Sequence, residues 1–149
     1  MNLESITGIY DAFSAALHIG FIDSLYYAFG FSQHSIDLLT ARKNYVIGDS
    51  LSLSVFLSLL LVSIKKLPLT GVMVTGAIHR EQQNFVCNPV AHINQKLLLA
   101  ANNGFTRTYI PVENFQDVSH QFRNTLELIP LPRKLPELIN MFTTREKLS

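Results

Sequence analysis

One apolar run restricts the fold of this 149-residue chain more than any other feature of its sequence. The run extends from Leu51 to Ile64, reads LSLSVFLSLLLVSI, and ends at Lys65-Lys66. A helix that crosses a membrane needs about 20 mostly apolar residues, whereas this run has 14 residues, of which four are serines. It therefore predicts a helix buried in a protein core, and we expect no membrane partner.

The composition favours one globular domain that covers residues 1–149. Hydrophobic residues make up 48% of the chain and charged residues 15%, which is enough apolar material for a core. Net charge is +1, and the scattered Lys and Arg residues give no basic stripe for nucleic acid. The single cysteine, Cys87, excludes an internal disulfide and a cysteine zinc cage. With no secretory signal before the first apolar stretch, a reducing, cytoplasmic setting is expected.

Hydrophobic periodicity alternates between helical and extended patterns along the chain. The predicted helices are 8–29, 51–64, 91–103 and a short one within PRKLPELINMF. The predicted strands are 35–40, 70–78, the segment FVCNPV, 106–111 and 125–129, with HREQQN as a turn. This order predicts an α/β (α+β layered) fold, in which helices pack on a small mixed sheet.

Three segments carry a resemblance to a known family. They are Gly48 to Leu53 (GDSLSL), Val74 to Ile78 (VTGAI) and Pro89 to Leu98 (PVAHINQKLL). In this order they resemble the Gly-Pro-Ser-Ala-Gly, Met-Thr-Gly-Glu-Ile and Pro-Ile-Gly-Gly-Leu-Lys-Glu-Lys-Leu-Leu segments of the proteolytic domain of Lon-type proteases. Shorter matches are Leu3-Glu4-Ser5, Gly104-Phe105, Ile110-Pro111 and Glu113-Asn114, so that the resemblance spans about residues 3–142.

The resemblance implies a Lon-like fold, related to ribosomal-protein domain 2. The same fold occurs without proteolysis in DNA-repair and competence proteins such as RadA and ComM, so the fold alone does not imply cleavage. From the resemblance we expect a domain without the family's N-terminal strands, and because there is no GxxxxGK[ST] segment in these residues we expect no ATP binding. In the family a serine is the nucleophile and a lysine amine is its base, and the serine position falls on Ser50.

A gapless alignment places Asn94 at the position of the catalytic lysine, and an asparagine cannot take up a proton near neutral pH. Lys96 aligns with a second, non-catalytic lysine, and residues two apart on a helix point about 200° away from each other. We therefore expect Asn94 to face Ser50 and Lys96 to face solvent. Further departures place Leu51-Ser52, Ala77 and Ile47 where the family has small or acidic residues.

These departures predict a catalytically degenerate domain that acts as an interaction or assembly module. The alternative is a residual serine peptidase in which Lys96 or His92 is the base for Ser50. A third interpretation makes Ser50 only the N-cap of the apolar helix.

No cofactor is expected, and the five histidines show no metal-ligand spacing. The aromatic residues clustered between positions 10 and 31, together with a sheet that lacks the family's N-terminal strands, predict a protein partner or self-association.

Overall fold

The structure is a computed structural model that describes residues 3–20, 49–66 and 70–144. Its helices are α1 (Leu3–Ile19), α2 (Ser52–Ser63), α3 (Ile93–Asn102), α4 (His120–Thr125) and α5 (Leu135–Thr143), with a 3-10 helix at Val112–Asp117. Its strands are β1 (Val72–Val74), β2 (Ala77–Glu81), β3 (Asn84–Asn88), β4 (Arg107–Pro111) and β5 (Glu127–Leu131). No helix within the described ranges is long and apolar enough to cross a bilayer.

The described strands form two small sheets. Strands β1, β4 and β5 are parallel and lie in the order β1-β4-β5, with Tyr109 opposite Val74 on one side and Ile129 on the other. Strands β2 and β3 form a separate antiparallel hairpin. Mixed helix and strand with a small sheet is confirmed, but the described strands form a parallel sheet and a hairpin where one mixed sheet was expected.

The predicted strand 70–78 is in fact two strands, which belong to different sheets. β1 ends at Val74, although the N–H of Thr75 still donates to the Tyr109 carbonyl at 3.1 Å. The chain then leaves the parallel sheet at Gly76 and enters β2. β2 continues to Glu81 and β3 begins at Asn84, so the turn predicted for all of HREQQN is correct only for Gln82 and Gln83.

The first helix differs from its predicted bounds of 8–29. It begins at Leu3 and ends at Ile19. It ends there because Gly20 adopts a left-handed conformation with φ +85°. The Gly20 N–H donates to the Ala16 carbonyl at 3.1 Å, which closes the last turn. The predicted continuation through residues 21–29, the predicted strand 35–40 and the departure at Ile47 lie outside the described residues.

The apolar run is confirmed as a buried helix. Eight residues of α2 are buried: Ser52, Leu53, Val55, Phe56, Leu57, Leu59, Leu60 and Leu61. They belong mainly to a core cluster that also takes in α1 and α5, while a second cluster joins α3, α4 and β4. The predicted α3, β3 and β4 are confirmed within two residues, β5 begins two residues later than predicted, and α4 was not predicted.

A candidate active site formed by Ser50 and Lys96

Ser50 lies in a turn directly before the buried helix α2. The Ser52 N–H donates to the Asp49 carbonyl at 2.9 Å, and this bond closes the turn around Ser50 and Leu51. The N-cap residue of α2 is Leu51, and no side-chain capping bond is present. The interpretation of Ser50 as an N-cap is therefore wrong, and its hydroxyl is available for another contact.

That contact is made by Lys96. Its Nζ donates a hydrogen bond to the Ser50 Oγ at 3.2 Å, although the two residues are 46 positions apart. Lys96 is partly buried in the first turns of α3. The expectation that Lys96 points to solvent is wrong.

Asn94 does not face Ser50, which corrects the second half of the same expectation. Its Nδ2 donates to the Asp117 carbonyl at 2.8 Å, and its Oδ1 accepts from the Ser119 N–H at 2.8 Å. Positions 94 and 96 do project in different directions, as helix geometry requires. The gapless alignment chose the wrong one of the two, because it contains no information on which face of α3 turns towards Ser50.

His92, the other proposed base, is exposed and precedes α3 in a left-handed conformation with φ +57°. Its carbonyl accepts from the N–H groups of Gln95 at 3.1 Å and Lys96 at 3.2 Å. The described contacts therefore give His92 a backbone role at the start of α3. Of the three proposed partners, the one bonded to Ser50 is Lys96.

The surroundings of Lys96 act on its protonation in two opposite directions. Burial lowers the pKa of the Lys96 amine, because the charged ammonium loses water. The negative charge of Asp49 acts against this effect and raises that pKa, and the net direction is downwards. A lowered pKa is what a lysine needs in order to act as a base.

The Ser50 turn contains one further titratable group, Asp49, and two more, His79 and Asp11, lie beside it. His79 of β2 donates through Nε2 to the Asp49 carboxylate. The pKa of Asp11 on α1 is raised, mainly by burial, while nearby His79 lowers it and nearby Asp49 raises it. Sequence reasoning missed this group, since nothing in the chain connects residues 11, 49 and 79 before the fold brings them together.

Asn114 supports the segment that leads into α3. It is 2% exposed, and its side chain bonds both polar groups of the Val90 backbone. The Val90 N–H donates to Asn114 Oδ1 at 2.9 Å, and Asn114 Nδ2 donates to the Val90 carbonyl at 3.0 Å. Sequence analysis singled out Asn114 only through the Glu-Asn match, and the fold gives that residue a physical role.

Within the ranges that the structure describes, no group of three or more His, Cys, Asp or Glu side chains could hold a metal ion. No protein-family model matches the chain, and comparison with curated proteins gives no match. The arrangement of side chains around Ser50 is therefore the basis for a functional assignment.

Proposed function

We propose that this chain is a Lon-like serine–lysine peptidase domain, in which Ser50 is the nucleophile and Lys96 is the general base. The observation that carries the proposal is the hydrogen bond between Lys96 Nζ and Ser50 Oγ at 3.2 Å. A nucleophile and its base within hydrogen-bond reach are the minimal machinery for acyl transfer.

The chemistry starts when Lys96 is in its neutral amine form. The amine takes the proton from Ser50 Oγ as that oxygen attacks the carbonyl carbon of a peptide bond, and a tetrahedral oxyanion forms. When the intermediate collapses, the C–N bond breaks, and the Lys96 ammonium returns its proton to the leaving amine. Water then attacks the Ser50 ester with Lys96 again as base, which releases the acid and regenerates the hydroxyl.

Two properties of the site support this chemistry. Partial burial lowers the pKa of Lys96, which increases the fraction of neutral amine near physiological pH. Ser50 lies two positions before the first residue of α2, and the backbone N–H groups at the start of a helix favour developing negative charge. Leu51, which replaces a small family residue, packs partly against the core.

We propose an active peptidase in place of the catalytically degenerate domain that was expected from the sequence. That expectation required Asn94 to be the partner of Ser50. Asn94 instead bonds to Asp117 and Ser119. An interaction or assembly module remains the interpretation to adopt if Ser50 proves inert.

Cleavage of an unfolded, casein-like protein tests the proposal. We expect the wild-type domain to cleave it, and Ser50→Ala or Lys96→Met to abolish cleavage. Asn94→Ala should retain it, which distinguishes the two candidate partners of Ser50. The matched controls are Ser58→Ala, an exposed serine on α2, and Lys134→Met, whose side chain is 78% exposed. Cleavage that survives in Ser50→Ala would contradict the assignment.

Self-association and a cytoplasmic setting complete the proposal. Tyr10 is 64% exposed on α1, and in the described three-stranded sheet β1 and β5 are the outer strands. Exposed aromatic surface and sheet edges are features that a second chain can cover. Light scattering at micromolar concentration tests this, and a strict monomer would contradict the homo-oligomer. The free thiol of Cys87 is compatible with a reducing compartment.

A further inference from the structure

The turn that carries Ser50 is attached to strand β2 on both sides of the serine. On one side, Asp49 accepts a hydrogen bond from His79. On the other, the buried Ser52 Oγ accepts from the Ile78 N–H at 2.7 Å. Residues 49 and 52 of the turn are thus bonded to consecutive residues of one strand.

Helix α1 contacts the same turn from another direction. A Cβ placed on Gly8 would lie 3.1 Å from the Asp49 Cα and 3.1 Å from the Asp49 carbonyl oxygen. Such a close approach of two backbones leaves the turn little room to shift. The attachment to β2 and the contact with α1 therefore restrict the position of the Ser50 hydroxyl relative to α3.

We propose that Asp49, His79 and Ser52 are positioning residues of the Ser50–Lys96 pair. This inference rests on the proposed function for its catalytic meaning and adds residues that the serine–lysine pair alone does not require. Ser52 and His79 anchor the turn to β2. Asp49 both anchors the turn and places a negative charge near Lys96, where it favours the ammonium form.

The titratable side chains around this turn come from three elements. Asp11 projects from α1, His79 from β2 and Lys96 from α3. Asp49 interacts with all three. Removing the Asp49 charge therefore changes the protonation of Lys96, whereas removing a distant carboxylate does not.

The first measurement follows Lys96 directly and needs no catalysis. In protein with ¹⁵N-labelled lysine, the Nζ titration of Lys96 is compared between wild type and Asp49→Asn. We expect the midpoint to fall, because the negative charge of Asp49 raises the pKa of the Lys96 amine in the wild type. The control is Glu137→Gln, whose side chain is 61% exposed on α5 and should leave the midpoint in place. An unchanged midpoint in Asp49→Asn would overturn the role of Asp49.

The second measurement is the rate at which a fluorophosphonate, which phosphonylates an activated serine with loss of fluoride, modifies Ser50. His79→Ala and Ser52→Ala should each slow it about 10-fold, since small displacements of a nucleophile are costly. His79→Gln should recover the rate to within about 3-fold, because its amide can still donate to Asp49. His120→Ala, at an exposed site on α4, is the matched control.

The two measurements separate the possible failures. If His79→Gln is as slow as His79→Ala, a hydrogen-bond donor to Asp49 at this position does not restore the rate, and the positioning role of His79 is overturned. His79 and Asp49 are 39% and 36% exposed in their side chains, so these variants leave the core unchanged even if Ser52→Ala weakens folding. If the fluorophosphonate does not modify the wild type at all, the peptidase proposal fails, while the Lys96 titration still decides whether Asp49 acts on Lys96.

Discussion

Lys96 Nζ lies 3.2 Å from Ser50 Oγ, across 46 positions of sequence. The two residues reach each other because Ser50 precedes the buried helix α2 and Lys96 occupies an early turn of α3. The hydroxyl of Ser50 is not used to cap its own helix. The pair therefore meets the distance requirement of the proposed nucleophile and base.

Peptide cleavage should rise with pH as Lys96 loses its proton. Because burial lowers the pKa of Lys96, the midpoint of the rise in kcat/KM should lie below the value of about 10.4 for an ordinary lysine. The sign follows from the mechanism, since only the neutral amine accepts the Ser50 proton. A profile of kcat/KM from pH 6 to 10 measures this, with Lys134→Met as the control that keeps the wild-type midpoint. A rate that falls through the same range would exclude Lys96 as the base.

Asn114→Ala should destabilise the domain by about 2–4 kcal/mol, because it leaves two buried backbone groups of Val90 without partners. The free energy of unfolding in urea measures the loss. Asn103→Ala is a suitable control, since its exposed side chain, at the C-cap of α3, donates to the Leu99 carbonyl and its loss should cost less than about 1 kcal/mol. Equal losses in the two variants would show that Asn114 does not support the entry to α3.

Gly76→Ala should destabilise the domain by about 1–3 kcal/mol through overpacking. A Cβ at this position would lie 2.6 Å from Leu53 Cδ2 and 2.9 Å from Cys87 Sγ. Denaturant unfolding of a double-mutant cycle with Leu53→Ala tests the cause, since the Gly76→Ala loss should be smaller when Leu53 is shortened. Additive losses would mean that contact with Leu53 is not the source of the strain.

Cys87 should be chemically inert in the folded protein. Its side chain is 1% exposed, and burial raises the pKa of the thiol to about 12, with nearby Glu113 adding to the effect. Since the thiolate is the reactive form, iodoacetamide at pH 8 should modify Cys87 only after denaturation. Mass spectrometry of native and denatured samples checks this. Rapid modification of the native protein would contradict the buried position on β3.

The sequence predicted those elements whose pattern is local. The run at 51–64 is too apolar for a surface helix and too short for a helix that crosses a membrane, so the sequence predicted a buried helix, and α2 is one. Gly104, with φ +77°, lies just after the end of α3, at the position where a helix-terminating glycine was predicted. By contrast, the division of 70–78 into two strands depends on which strands its two halves pair with, β4 for Val72–Val74 and β3 for Ala77–Glu81, and no local pattern specifies those partners.

The candidate site was predicted in part. Ser50 was singled out by the resemblance of its segment to that of a known family, and the separation of Asn94 from Lys96 followed from helix periodicity. Which of the two side chains faces Ser50 depends on how α3 packs. The orientation of α3 is determined partly by Ile93 and Leu97, which are buried in the second core cluster. Helical periodicity predicts the angle between the side chains of residues 94 and 96, but it does not predict which of them points towards Ser50.

The most direct test of the Ser50–Lys96 pair is the location of the phosphonyl adduct after treatment with a fluorophosphonate. Intact-mass analysis counts the adducts, and peptide mapping identifies the modified residue. We predict one adduct, on Ser50, in the wild type and in Asn94→Ala, and none in Ser50→Ala or Lys96→Met. An unmodified wild-type protein, or an adduct that persists in Lys96→Met at the wild-type rate, would contradict the assignment of Lys96 as the base that activates Ser50.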